Sequence, residues 1–258
     1  MKTLIQVWTH HCYNMPQTET DNYWGLGDVL RGTIQMYMLS KKLGFKLYVD
    51  ISLHPVSKFL LPTENPFADL IQENKDRIRM IPADEDLVSI INNLEDGSFF
   101  FTNAYCTEDF DDDCKNFMKQ ILTPIPSLEQ SLKAAIPFDP YQIMHFRLGD
   151  EELVGGIENG VSENIRNLIT SNKDGCDVLI SDSFTLKSDP EVAKEVFVLK
   201  TVPQHLGKCA DADSVKDTLV DFFLISRSKG IKTYSSYEWV SGFVFWAHKI
   251  YDIPLRRI

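Results

Sequence analysis

The chain alternates strand-like and helix-like patterns from end to end, and this alternation constrains its fold more than any other feature. TLIQVW (3–8) reads as a strand. GDVLRGTIQMYMLSKKLG (27–44) reads as a helix with Asp28 as its cap and Gly44 as its stop, and FKLYVD (45–50) as the next strand. RIRMI (77–81), DEDLVSIINNL (84–94), SFFFTNA (98–104) and TEDFDDDCKNFMKQIL (107–122) continue as strand, helix, strand and helix. TPIPS (123–127) and PFDP (137–140) are proline-marked breaks around a short helical piece, LEQSLKAAI. The pattern then restarts with YQIMHFRLGDEE (141–152), a helix near 161–171, strands CDVLIS (176–181) and EVFVLK (195–200), a helix over 213–230, the strand IKTYS and a helix over 237–251. Alternation in both halves argues for an α/β protein of two doubly wound, parallel-sheet domains, 1–137 and 138–258.

Bulk properties narrow the function. The 258 residues, 43% hydrophobic and 24% charged, suit a globular protein with a real core. A net charge of -11 argues against general nucleic-acid binding, which needs a basic footprint. An anionic small ligand stays possible, because local arginines and helix N-termini can invert the field. The 5 cysteines are odd in number, form no C-x-x-C pair and match no zinc spacing, as expected of reduced thiols in a cytoplasmic protein. No apolar run approaches the ~18 residues of a membrane span, and the N-terminus reads as a strand rather than a signal peptide.

The stretch 141–152 carries the sharpest chemistry. Its alternation puts Ile143, His145 and Arg147 on one face, and the strand exits at Gly149-Asp150 followed by Glu151 and Glu152. Strands of a parallel sheet are covered on both faces, so a histidine and an arginine near the exit need partners. At that end of the strand the usual partner is a ligand in the crevice, and the planar fork of Arg suits a diphosphate. An edge strand with both side chains in water is the alternative.

The other candidate stretches are weaker. Gly25 and Gly27 precede a helix and could admit a ligand close to the backbone, or simply form a turn. Ser235 and Glu238 have capping-box spacing at a strand-to-helix junction; Ser236 and nearby N–H groups could also hold a phosphate. The helix after them is expected to bury Trp239, Val240, Phe243, Val244 and Ala247. Asp182, between Ser181 and Ser183 at a strand end, could meet a guanine or ribose, or cap the next helix. Asp109, Asp111, Asp112 and Asp113 imitate an Asp-x-Asp metal site, but they read as the solvated start of a helix, complementing its dipole. His10-His11 lacks other ligands nearby, so no metal is expected.

Taken in order, these stretches resemble the GT-B fucosyltransferases, the group of α1,2-, α1,6- and protein O-fucosyltransferases. Their His-x-Arg-x-Gly/Thr-Asp signature stands here as His145-Phe146-Arg147-Leu148-Gly149-Asp150. Gly25-Leu26-Gly27-Asp28, Ser181-Asp182 and Ser235-Ser236 match their further turns. The resemblance spans nearly the whole chain. It implies two Rossmann-like domains facing across a cleft, an N-terminal acceptor side and a C-terminal donor side. It further implies transfer of L-fucose from GDP-fucose to a glycan hydroxyl, with inversion and no metal. Arg147 would contact the β-phosphate, His145 would bond to the nucleotide or hold Arg147, and Ser235 and Ser236 would bind phosphate. Asp182 would recognise guanine or ribose, Gly25 and Gly27 would let the first domain close over the diphosphate, and Asp150 would serve as the base. Leu148 stands where many members carry a second arginine. Another nucleotide sugar as donor, or a non-catalytic nucleotide- or glycan-binding role on the same scaffold, are the alternatives. Segments 9–24 and 51–75 are the expected acceptor loops.

Overall fold

A computed structural model describes residues 1–9, 25–81, 86–104, 109–149, 161–202 and 212–258. Asp150, Glu151, Glu152 and His10-His11 lie outside these residues, as does most of the segment 9–24.

The described chain divides into two compact units, the first within Met1–Ile125 and the second from Pro126 onward. The expected boundary was 137/138. The intervening helix α5 (Pro126–Ala135) belongs with the second unit, because it packs on helix α9 (Ala212–Arg227), with Leu128 and Leu132 buried and Glu129 paired to Arg227.

The first unit holds β1 (Thr3–Val7), α1 (Leu26–Leu43), β2 (Lys46–Asp50), α2 (Ala68–Glu73), β3 (Arg79–Ile81), α3 (Leu87–Asn93), β4 (Ser98–Thr102) and α4 (Asp112–Ile121). Its four strands are all parallel, in the order β2-β1-β4-β3. Leu4, Met36, Leu39, Ile91 and Phe100 form part of its core, so the apolar stripe of α1 and the pattern of β1 and β4 do what their periodicity implies. Gly44 ends α1 at φ 72, donating its N–H to Ser40 at 2.9 Å. The start of α1 differs from expectation. Gly25 precedes the helix in extended conformation and Gly27 lies inside the first turn. Asp28, one turn in, accepts from the Gly25 N–H at 3.2 Å instead of capping from outside.

Gly32, unremarked in the sequence, is where α1 touches the sheet. A Cβ added there would lie 1.8 Å from the Thr102 carbonyl oxygen at the end of β4. The contact is with backbone, which cannot swing aside, so Gly32→Ala is expected to destabilise the protein by about 3 kcal/mol. That outweighs the ~1 kcal/mol of helix propensity gained. Urea unfolding checks it, and an unchanged midpoint would contradict the close approach.

The second unit holds α5, β5 (Ile143–Arg147), α6 (Glu163–Asn172), β6 (Val178–Ser181), α7 (Phe184–Ser188), α8 (Pro190–Glu195), β7 (Phe197–Val198), α9, β8 (Ile231–Ser235), α10 (Gly242–Tyr251) and β9 (Leu255–Arg257). Its parallel sheet runs β7-β6-β5-β8-β9. In units of this sheet that is third, second, first, fourth, fifth, the order of a doubly wound Rossmann sheet without its sixth strand. Successive residues of both parities are buried in β5 and β6, as a strand covered on both faces requires. The edge-strand alternative for His145 and Arg147 is therefore excluded: β5 is central, between β6 and β8. The chain progresses outward on one side through β6 and β7, then returns to lay β8 against the other side of β5. Ligands of such sheets sit beyond the strands' carboxyl ends at that reversal. Helix α10 begins at Gly242, not near 237, and the reason lies in the site.

Candidate functional site

Three strand exits meet at the reversal. Arg147 ends β5, directly opposite Ser235 at the end of β8, and Phe146 pairs in register with Ser181 at the end of β6. The sequence placed Arg147, Asp182, Ser235 and Ser236 at strand ends; the sheet order brings those ends together.

The turn leaving β5 is stitched on both flanks. From β6, Asp182 accepts from the Arg147 guanidinium, from the Leu148 N–H at 2.8 Å and from the Gly149 N–H at 3.4 Å. From β8, the Ser236 N–H donates to the Arg147 carbonyl at 2.9 Å and the Ser236 hydroxyl to the Leu148 carbonyl at 3.1 Å. Ser181 adds a hydroxyl bond to the Phe146 carbonyl at 2.9 Å. Gly149 adopts φ 128, a backbone state that side-chain-bearing residues rarely take. A side chain at this position would strain the backbone, which suits Gly149 to its place.

The ion pair explains Asp182 in a way the sequence did not. The helix-cap alternative does not hold: the cap of α7 is Ser183, whose hydroxyl accepts from the Leu186 N–H at 3.0 Å. Asp182 is turned instead toward Arg147. Burial pushes its carboxyl above the usual range, while the Arg147 charge and the Leu148 and Gly149 N–H groups pull it down. The Arg147 side chain is 18% exposed and that of Asp182 is 9% exposed, so the cation is the member nearer solvent.

His145 lies one pleat behind Arg147 on the same face. It is buried, with Nδ1 3.0 Å from the Thr233 hydroxyl of β8. Burial, reinforced by the Arg147 and Lys187 charges, pushes the imidazole down to about 3, so it is neutral at physiological pH. A neutral His145 supports the β5–β8 seam without adding a competing charge beside Arg147.

The segment after β8 overturns the helical reading of 237–241. The Ser235 hydroxyl accepts from the Tyr237 N–H at 3.2 Å, and Arg257 of β9 donates to the carbonyls of Tyr237, at 2.8 Å, and Glu238. Carbonyls held by Arg257 are directed away from a helical course. The Ser235/Glu238 capping box therefore does not form, and Ser235 and Ser236 do not stand at a helix N-terminus. Trp239, expected in the core, is 64% exposed, while Val244 and Ala247 of α10 are buried as expected.

The acids at 109–113 behave as a helix start. Asp111 caps α4 by accepting from the Cys114 N–H at 2.9 Å, Asp112 meets Lys115 at 3.0 Å, and Asp113 faces Lys41 at 3.8 Å. Among the described residues no group of three His, Cys, Asp or Glu side chains could hold a metal ion, and no helix is long and apolar enough to cross a membrane. Gly25 and Gly27 belong to the first unit, at the start of α1.

Solved structures share this fold. NodZ α-1,6-fucosyltransferase, in a crystal soaked with GDP-fucose, matches at a TM-score of 0.57 and 12% identity, over 96% of this chain and 92% of that one. The selenomethionine form of the fucosyltransferase NodZ from Bradyrhizobium matches at 0.57 and 13% identity, over 96% and 91%. POFUT1 in its apo form matches at 0.51 and 11% identity, over 100% and 97%. No family model matches the chain, and no curated protein matches it by sequence. The likeness is one of fold: mixed α/β with parallel sheets, carried over nearly the full length of both chains.

Proposed function

We propose that this protein is a glycosyltransferase that moves L-fucose from GDP-fucose to a glycan hydroxyl with inversion. One observation carries the reading: an arginine at the exit of the central strand, at the sheet's reversal, fixed by a buried carboxylate and framed by the serine-bearing exit of β8. The fold shared with NodZ, whose crystals have been soaked with GDP-fucose, supports it.

In this reading the donor's diphosphate lies against Arg147. As the bond between fucose C1 and the diphosphate oxygen breaks, negative charge grows on departing GDP, and a pre-placed guanidinium stabilises it without reorganising. Arg147, rather than a metal ion, supplies that charge. Asp182 acts as a positioning residue, holding the guanidinium and the turn together. Ser236 and Ser235 hold the turn from the β8 side, and Gly25 and Gly27 at the start of α1 leave the first unit's backbone open to a ligand. The acceptor oxygen attacks C1 from the face opposite the leaving group and gives its proton to a carboxylate, for which Asp150 is the candidate.

Calorimetric titration with GDP, UDP and dTDP tests the donor. GDP is expected to bind at micromolar concentration and the other two at least tenfold more weakly. Equal or tighter binding of UDP or dTDP would rule out GDP-fucose as the donor.

A further inference from the structure

We propose that the outer face of Trp239 is a stacking site for a pyranose ring. It rests on the glycosyl-transfer reading only in identifying that ring with the acceptor sugar. An indole 64% exposed leaves a large apolar face in water, which is unfavourable unless something covers it. This indole is also not a loose surface side chain. Its inner face lies nearly parallel to the Tyr237 ring, with centroids 5.0 Å apart and planes 12° from parallel.

The backbone beneath the plate is pinned from two strands. Ser235 of β8 holds the Tyr237 N–H, and Arg257 of β9 holds the carbonyls of Tyr237 and Glu238. Arg257 is itself placed by the register of β9, where it pairs with Thr233. A rigid aromatic plate, presented before any ligand arrives, loses little entropy on binding.

Its location and size select the occupant. The plate rises from the exit of β8 beside the Arg147 turn: a Cβ added at Gly149 would lie 3.7 Å from the Tyr237 hydroxyl. One open ring face matches the apolar C–H face of a pyranose, whose hydroxyls then project sideways. The exposed Glu238 carboxylate, next in sequence, can accept from them. A protein partner would need a patch of roughly 800 Å² per side, far more than one indole offers. A nucleobase also stacks, but the Tyr237 and Glu238 carbonyls, which could read its edge, already accept from Arg257.

The test uses the full chain as wild type, Trp239→Phe and Trp239→Ala. Each is applied to an array of immobilised oligosaccharides and, separately, titrated with GDP. Exposure of Trp239 means that both variants should fold, which circular dichroism verifies. The expected result is that wild type retains at least one oligosaccharide class, Trp239→Phe keeps most of that binding, Trp239→Ala loses it at least tenfold, and GDP affinity is the same in all three. Glycan binding by wild type that is lost in Trp239→Ala, in a protein that binds no GDP, supports the plate while removing the fucosyl-transfer reading. The proposal is overturned if wild type binds no oligosaccharide, if Trp239→Ala binds as wild type does, or if the loss falls on GDP.

Discussion

Arg147→Ala is expected to lower kcat for fucosyl transfer about 100- to 1,000-fold, the usual loss when one group stabilising developing charge is removed. KM for the donor should change far less, because the charge is greatest after the bond to C1 has begun to break. Arg147→Lys should recover little of the activity. An ammonium is a point charge without the planar fork that spans a phosphate and Asp182 together. The fold should survive. Asp182 loses its cation but keeps the Leu148 and Gly149 N–H groups, so the cost is on the order of 2 kcal/mol against a domain stability of about 5–15 kcal/mol. Steady-state kinetics beside thermal unfolding separate the two effects. Near-normal kcat in a folded Arg147→Ala protein would remove Arg147 from the chemistry.

A stability effect as large as that of Gly32→Ala is expected at a buried pair that the reaction does not use. Lys187, at the end of α7, and Asp221, inside α9, are almost fully buried, with Nζ and Oδ2 3.8 Å apart. Thr201 joins them: Lys187 donates to its carbonyl at 2.6 Å, and its hydroxyl donates to Asp221 at 2.6 Å. Removing one partner strands a charge, so Lys187→Met should cost about 3 kcal/mol at pH 8. Burial already pushes the Asp221 carboxyl up to about 6, and loss of Lys187 pushes it higher. The folded state then holds a proton that the unfolded state, near 3.8, has released, so the variant regains stability as pH falls from 8 toward 5. Asp221→Asn should behave oppositely. Burial pushes Lys187 down, the unfolded state is the one that binds the proton, and stability rises with pH. The double variant Lys187→Met/Asp221→Leu, which strands nothing, should lie close to wild type. Additive losses in the double variant would show that the two side chains do not act as a pair.

What the sequence made legible was periodic. The alternation of β5 put His145 and Arg147 on one buried face, and the burial of every residue from Ile143 to Phe146 follows from a parallel sheet. Helix α1 stops at Gly44 as its pattern requires. What escaped was set by residues distant in sequence. Ser235 and Glu238 satisfy a local capping pattern, yet Arg257, nineteen residues beyond Glu238, holds the carbonyls and delays the helix to Gly242. Trp239 is then carried out of the apolar stripe its spacing suggested. Asp182 could cap the next helix by its local position, but Ser183 does so, and Asp182 meets Arg147, 35 positions away. The short strand β9 was missed because three residues containing Arg256 and Arg257 do not read as a strand; their charges suit the exposed edge of a sheet. Gly32 was hidden for a similar reason, since its constraint is the Thr102 carbonyl, visible only once α1 lies on β4.

The central claim is that Arg147 and its neighbours activate a nucleotide-linked fucose for displacement. The most direct measurement is time-resolved NMR of GDP-fucose, with its β-linked sugar, incubated with the wild-type protein and no added acceptor. Water then serves as a poor acceptor. The account predicts slow release of GDP above the uncatalysed rate, with the α-anomer of fucose formed first and equilibrating later. GDP-fucose left intact at the uncatalysed rate, or first-formed β-fucose, would contradict it.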